Sequence, residues 1–473
     1  MLFNSHAFLF LFLPITWFLF RANSSYPFRA IFILTASSLV FYSYWNPKFV
    51  FLILISIFFN FFLGRLISKS AQKKSFYLLV FGITINLLAI SYFKYLNFFM
   101  ENIFHLMAIP WERQDIFLPL GISFFTFQQI AYLVDAYQDQ RSESHLMEYT
   151  LFVTFFPQLI AGPIVHHGDL LPQFHKKETF LLHWHTLAQG LALLAFGLFK
   201  KVVLADTFSP WVSAIFDSSV ALSALEAWSG ALAYTFQIYF DFSGYSDMAL
   251  GLGKLFRIEL PENFASPYQA TSIGEFWRRW HMTLSRFLRD YLYIPLGGNR
   301  HGTFRRHVNL LATMVLGGLW HGAAWTFVLW GALHGVFLVV NHLWQTLRSR
   351  WHLRTLPPPL GWGMTFFAVV GGWVLFRAAS LERAWSLFQS MFGVRGLGTW
   401  EAVTARGTLP GGVWELVALA GALWFCLRCP RSTAWCENHL ALPSWRTGVW
   451  VTGAALGALL SLTEVSEFLY FQF

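Results

Sequence analysis

Val308 to Leu347 reads VNLLATMVLGGLWHGAAWTFVLWGALHGVFLVVNHLWQTL, 40 residues without an Asp, Glu, Lys or Arg. As one helix it would extend about 60 Å, roughly twice the ~30 Å hydrocarbon core of a bilayer, so it must be two spans or a span joined to a broken helix. His321 lies 13 residues beyond Val308, about 20 Å into the bilayer for a helix that starts there. An ionisable side chain at that depth is costly and marks a functional pathway. Gly317, Gly318 and Gly322 flank it, permitting close backbone approach or a break that opens room beside the imidazole. His334, 13 residues further on, is expected instead to hydrogen-bond between helices. Two imidazoles without a nearby carboxylate or thiolate make a poor ligand set, so no metal site is expected.

The rest of the 473-residue chain has the same character: 56% hydrophobic, 19% aromatic, only 12% charged. Soluble domains carry about a quarter charged residues, so this is an integral membrane protein. Apolar runs recur at 2–20, 30–45, 49–64, 76–100, 116–137, 150–165, 186–205, 227–253, 360–376, 412–427 and 447–463. The first has no basic residue before it and Arg21 where a cleavage site would lie, which predicts a retained span rather than a removed leader. Arg21 and Arg29, then Arg65, Lys69, Lys73 and Lys74, follow the first and third runs, whereas the turn at Asn46 to Lys48 holds one charge. Basic loops stay cytoplasmic, so the N-terminus is placed outside. The net charge of +9 then reflects these loops, not nucleic-acid binding. Cys426, Cys429 and Cys436 form no disulfide framework and lack a second ligand pair for a metal. With no repeat and no long linker, residues 1–473 read as one all-α polytopic membrane domain.

The apolar character lapses between Ala265 and Arg306, where seven arginines stand against Glu275 and Asp290, supplying +5 of the net charge. Ser272 and Glu275 fit a capping box, predicting a helix from there towards Tyr291. On it Trp277, Trp280, Leu284, Leu288 and Tyr291 share one face with His281 amid them, and Arg278, Arg279, Arg286 and Arg289 lie opposite. Such a helix either rests in the interface on anionic headgroups or dips inward, carrying His281 to a buried site while its arginines guard a mouth for a phosphate-bearing ligand. A further polar cluster, Tyr239 to Asp247, contains Asp241 and Asp247. Six residues apart, they need not share a helix face, so structural hydrogen bonding, to the arginine-rich segment for instance, is expected rather than paired-carboxylate catalysis.

At these residues the sequence resembles the membrane-bound O-acyltransferase family, in its bacterial alginate O-acetyltransferase branch. The stretches that carry the resemblance are YFDFSGYSDMALGLG (239–253), LPENF (260–264), EFWRRWH (275–281), LRDYLYIPLGGNR (288–300), GLWHGAAWTFVLWG (318–331) and LFRA (375–378), with the opening MLFNSHAFLFLFLP and the terminal FLYFQF. The resemblance implies a multi-helix fold with re-entrant or interfacial helices (265–306) and a core hairpin (308–347) around a central tunnel, in a bacterial cytoplasmic membrane. His321 matches the principal catalytic histidine and His281 the second histidine of the branch. Acetyl-CoA is implied as a donor substrate, with no permanently bound cofactor. An extracytoplasmic polysaccharide, alginate first, or periplasmic acyl-accepting proteins are implied as partners.

The chemistry agrees with that implication. Moving an acetyl group from a thioester to a sugar hydroxyl requires removal of a proton and support of an oxyanion, and histidine suits the proton steps. His321 is expected as general base, His281 as its assistant, and Arg278, Arg279 and Arg289 as ligands of the donor phosphates. A covalent acyl relay stays open beside direct transfer. The alternatives are the same chemistry on peptidoglycan, cellulose or teichoic acid, and a non-catalytic acyl or lipid transporter whose histidines relay protons.

Overall fold

The computed structural model describes residues 1–473 apart from 400, 402, 404–406, 410, 442–443, 463–465, 467 and 470–473. The described residues form helices and connecting loops with no strand. Of the terminal FLYFQF stretch only Phe468 and Leu469 are described.

At the centre stands Ala224–Leu255, a 32-residue helix whose side chains are almost all buried. Ser223 and Glu226 start it with a capping box, the Ser223 backbone N–H donating to Glu226 Oε2 at 2.7 Å. Trp184–Leu198 crosses it closely because both helices are glycine there: a Cβ on Gly197 would lie 2.6 Å from the Gly244 carbonyl oxygen. Small residues at a crossing let backbones approach where lipid provides no hydrophobic drive. That approach brings Lys200 and Lys201, in the π-helical turn Phe199–Ala205, against the central helix. Lys201 reaches Asp241 at 2.7 Å, and Lys200 reaches Asp247 at 2.7 Å. The expected link from these carboxylates to the arginine-rich segment is therefore wrong, because the glycine crossing delivers nearer cations.

Among the described residues five helices are long and apolar enough to cross a membrane: Lys48–Lys69, Gln72–Leu106, Trp184–Phe216, Trp325–Trp351 and Pro358–Arg377. Val413–Arg428 with Ser432–Leu440, bent by 59°, would be a sixth. Fewer spans than apolar runs result because some runs form shorter apolar helices, Ala7–Ala22 and Pro27–Ser43, and others are packed inside the protein. The 150–165 run ends its helix at Thr154, turns at Phe155 and is buried throughout. The opening segment belongs to the bundle, with Trp17 Nε1 donating to the Leu255 carbonyl at 3.2 Å.

The 308–347 run is two antiparallel helices, Gly302–His321 and Trp325–Trp351, joined by an extended Gly322. Gly318 and Gly331 face each other across this hairpin, the Cα of Gly331 lying 3.0 Å from where a Gly318 Cβ would sit.

The helix expected from Ser272 towards Tyr291 is not continuous. Ser272 caps Ile273–Trp277, the chain then breaks, and Met282–Leu288 follows. Loop backbone supplies the substitute hydrogen bonds: Ala265 N–H donates to the Arg279 carbonyl at 2.9 Å and Met282 N–H to the Asn263 carbonyl at 3.0 Å. His281 occupies the break with φ +44°, a left-handed conformation that non-glycine residues adopt at a cost.

Candidate active site

Both breaks end at the same place. The His281 and His321 rings stand 6.4 Å apart between centroids, and both residues are buried. His281 is held by Asn263, whose Oδ1 is 3.0 Å from its Nδ1; the same oxygen accepts from Thr283 Oγ1 at 2.9 Å. Phe242 meets the His281 ring edge-on at 4.7 Å. Around His321 stand Trp320, Trp330 and Phe376, with centroids at 5.0, 5.1 and 5.2 Å. This aromatic wall packs the imidazole against apolar surface.

His321 is the last residue of its helix, and the carbonyls there lack intrahelical partners. The Gln72–Leu106 helix supplies them. Lys94 Nζ donates to the Trp320 carbonyl at 2.7 Å and the His321 carbonyl at 3.0 Å, and Tyr95 donates to the Leu319 carbonyl at 3.0 Å. Sequence reasoning passed over Lys94, although a lysine in the 76–100 apolar run carries the same signal of intramembrane cost that singled out His321.

A cavity of about 360 Å³ ends on Lys94, Trp320 and His321 and leads past Ser123 and Gly121 to Phe117 and Trp45. Gly121 has φ +70°, and a Cβ there would lie 2.8 Å from the Leu159 carbonyl oxygen, so this wall of the cavity is built on a glycine. Trp45 lies in the turn before Lys48, at the end of the bundle opposite Arg29 and Lys69. The cavity thus reaches His321 from the less basic end.

The arginine-rich segment lies at the other end. Arg279 pairs with Glu275 at 2.7 Å, Arg286 with Asp169 at 2.7 Å and Arg289 with Asp290 at 2.7 Å, while Arg278 is exposed. The two proposed catalytic histidines are brought together; Arg278, Arg279 and Arg289 do not join them in that cluster. Tyr291 belongs to a separate network, its hydroxyl 2.8 Å from Asp135 and 3.1 Å from His166 Nδ1. His334 packs against Trp277, Trp330 and Trp373. The expected interhelical hydrogen bond is absent among the described residues, where aromatic rings pack round the imidazole and Gly372 lies beside its Nε2.

A sequence profile described as the membrane-bound O-acyltransferase family matches residues 78–381. That span contains His281, His321 and Lys94. The chain is 42% identical over 428 residues to a peptidoglycan O-acetyltransferase of Helicobacter pylori, covering 84% of this chain and 81% of the relative. It is 42% identical over 418 residues to a protein of Pseudomonas aeruginosa named as a probable alginate O-acetylase, covering 85% and 76%. A teichoic acid D-alanyltransferase of Streptococcus thermophilus is more distant, 30% identical over 286 residues, 54% of this chain. Two imidazoles 6.4 Å apart inside an all-helical membrane bundle, one of them at the end of a cavity, are thus set in a chain that belongs to the membrane-bound O-acyltransferase family.

Proposed function

We propose that this protein moves an acetyl group from acetyl-CoA at the cytoplasmic side to hydroxyls of an extracytoplasmic polysaccharide, alginate being the first candidate. Its location is the bacterial cytoplasmic membrane, with the basic ends of the helices inside. The observation that carries the reading is His321 at the end of a cavity entered from the less basic side, with the His281 ring 6.4 Å from it. Relatives acting on peptidoglycan and on alginate are equally similar by identity, so peptidoglycan is the second acceptor to test. The acceptor partner is the polysaccharide itself or a periplasmic protein that takes the acyl group onwards.

In this mechanism neutral His321 removes the proton of the acceptor hydroxyl as its oxygen attacks the thioester carbonyl. The carbon–oxygen bond forms, the carbon–sulfur bond breaks, and the proton passes to the departing thiolate. His281, its Nδ1–H donated to the Asn263 side-chain oxygen, keeps Nε2 as an acceptor and relays that proton. The aromatic wall keeps water from competing for the acetyl group. Arg278, Arg279 and Arg289 attract the donor's phosphates at the basic end, for which their guanidinium geometry is suited.

The test is thioester cleavage by the purified chain in detergent with acetyl-CoA and cell-derived alginate or peptidoglycan, measured as free thiol and as labelled polymer. Loss of both signals in His321→Ala, with the protein still folded, supports the reading. Thiol release unaffected by His321→Ala removes the base assignment. Absence of release from the unaltered chain with every acceptor and periplasmic extract favours a different donor or a transporter.

A further inference from the structure

The carbonyls of Leu319, Trp320 and His321, three in succession, are taken by two adjacent side chains of one other helix, Lys94 and Tyr95. Neighbouring residues of a regular helix diverge by about 100° and do not point at one target. Here Ser91–Tyr95 is a π-helical turn, whose wider winding brings neighbours closer in direction. Such turns recur at functional sites because they re-aim side chains. A helix C-terminus carries fractional negative charge, so an ammonium placed there is held by the dipole as well as by hydrogen bonds. The third direction of the ammonium is Ser123 Oγ, at 3.5 Å.

The position of this contact is what gives it a functional reading. His321 is the last helical residue and Gly322 is already extended (φ −162°, ψ 151°), so the helical hydrogen-bond ladder ends at this turn. Lys94 grips the carbonyl of His321 itself and lines the same cavity wall. A lysine in an apolar helix is costly, and a hydroxyl would cap one carbonyl at lower cost. An ammonium caps two.

We infer that Lys94 is a positioning residue for the acetyl transfer: by clamping the terminal turn of Gly302–His321, it fixes the direction in which the His321 imidazole faces the cavity, with Tyr95 as the second jaw. The inference rests on the reading of His321 as the base. Misplacement of a catalytic group by about 1 Å costs on the order of 100-fold.

The experiment measures kcat and KM for acetyl-CoA, per folded molecule, in full-length chain carrying Lys94→Met, Lys94→Gln, Lys94→Arg or Tyr95→Phe, with His321→Ala in parallel. Lys94→Met is expected to lower kcat by about 10- to 100-fold while KM stays within about threefold, since orientation is lost and donor binding is not. Lys94→Arg, which keeps the charge and donors, recovers part of kcat, and Tyr95→Phe loses about threefold to tenfold. A purely structural lysine would reduce the amount of folded protein and leave kcat per molecule unchanged. That result, alongside an inactive His321→Ala, overturns the clamp and leaves the base assignment standing. A raised KM with unchanged kcat also overturns it, making Lys94 a substrate-binding group. Full turnover in His321→Ala overturns both. If Lys94→Met does not fold, unchanged kcat in Lys94→Gln and Tyr95→Phe is the overturning result.

Discussion

His321 and His334 form a natural experiment on one hairpin. Both are buried, at 5% and 0% exposure, and both stand about equally close to Trp330, at 5.1 and 4.9 Å. Their backbones differ. His321 ends its helix, faces a cavity, and has its own carbonyl gripped by a lysine from another helix. His334 lies within Trp325–Trp351, under Gly372 and among Phe276, Trp277 and Trp373. Burial and aromatic company are therefore common to both, and the distinction lies in the chain break and the access it creates. A histidine in a continuous, enclosed helix has no room for a substrate beside it.

The largest effect expected from this contrast is at His321. His321→Ala should lower acetyl transfer by about 10³-fold, within the range for loss of a general base, with the helical spectrum unchanged. Transfer within tenfold of the unaltered chain would collapse the distinction between the two histidines. Next is Asn263→Ala, which leaves His281 in place and removes the oxygen that aims its Nδ1. A fall in kcat of about 10- to 100-fold at similar acetyl-CoA KM is expected; a change in KM alone would place His281 in donor binding instead. Smaller again is Gly318→Ala, where the new methyl meets the Phe327 carbonyl and the Gly331 backbone. Forcing the hairpin apart should cost about 1–2 kcal/mol, read as a lowered unfolding midpoint in detergent, and undiminished stability would show that the two helices have slack at their crossing.

Much of this site is legible in the residues themselves. The uncharged run required a break, and the break falls at Gly322, immediately after the histidine that depth alone had marked. What was hidden depends on partners far away in sequence. The segment from Ser272 to Tyr291 has helical periodicity, yet Asn263 and Ala265 capture its backbone and divide it, setting His281 at a left-handed residue that no periodicity predicts. Asp241 and Asp247 take lysines because a glycine crossing places those lysines alongside. Hydropathy also cannot separate a lipid-facing span from a segment such as 150–165 that is apolar because protein surrounds it. Lys94 is the instructive omission, since the rule that intramembrane charge is functional applies to it as directly as to His321.

The sharpest test of the contrast is the substitution expected to do least. Neither ring nitrogen of His334 has a hydrogen-bond partner among the described residues. A buried polar atom without a partner costs about 1–3 kcal/mol, whereas an apolar group of the same shape there is neutral or stabilising. His334→Phe keeps a flat ring among Phe276, Trp277, Trp330 and Trp373 and removes both nitrogens. The added ring atom presses towards Gly372, which offsets part of the gain. The expected result is an unfolding midpoint that is unchanged or slightly raised, with acetyl transfer within about twofold of the unaltered chain. Transfer reduced tenfold or more in a protein of undiminished stability would mean that the enclosed imidazole takes part in the chemistry. Access through a break in the helix would then no longer be what separates the two histidines.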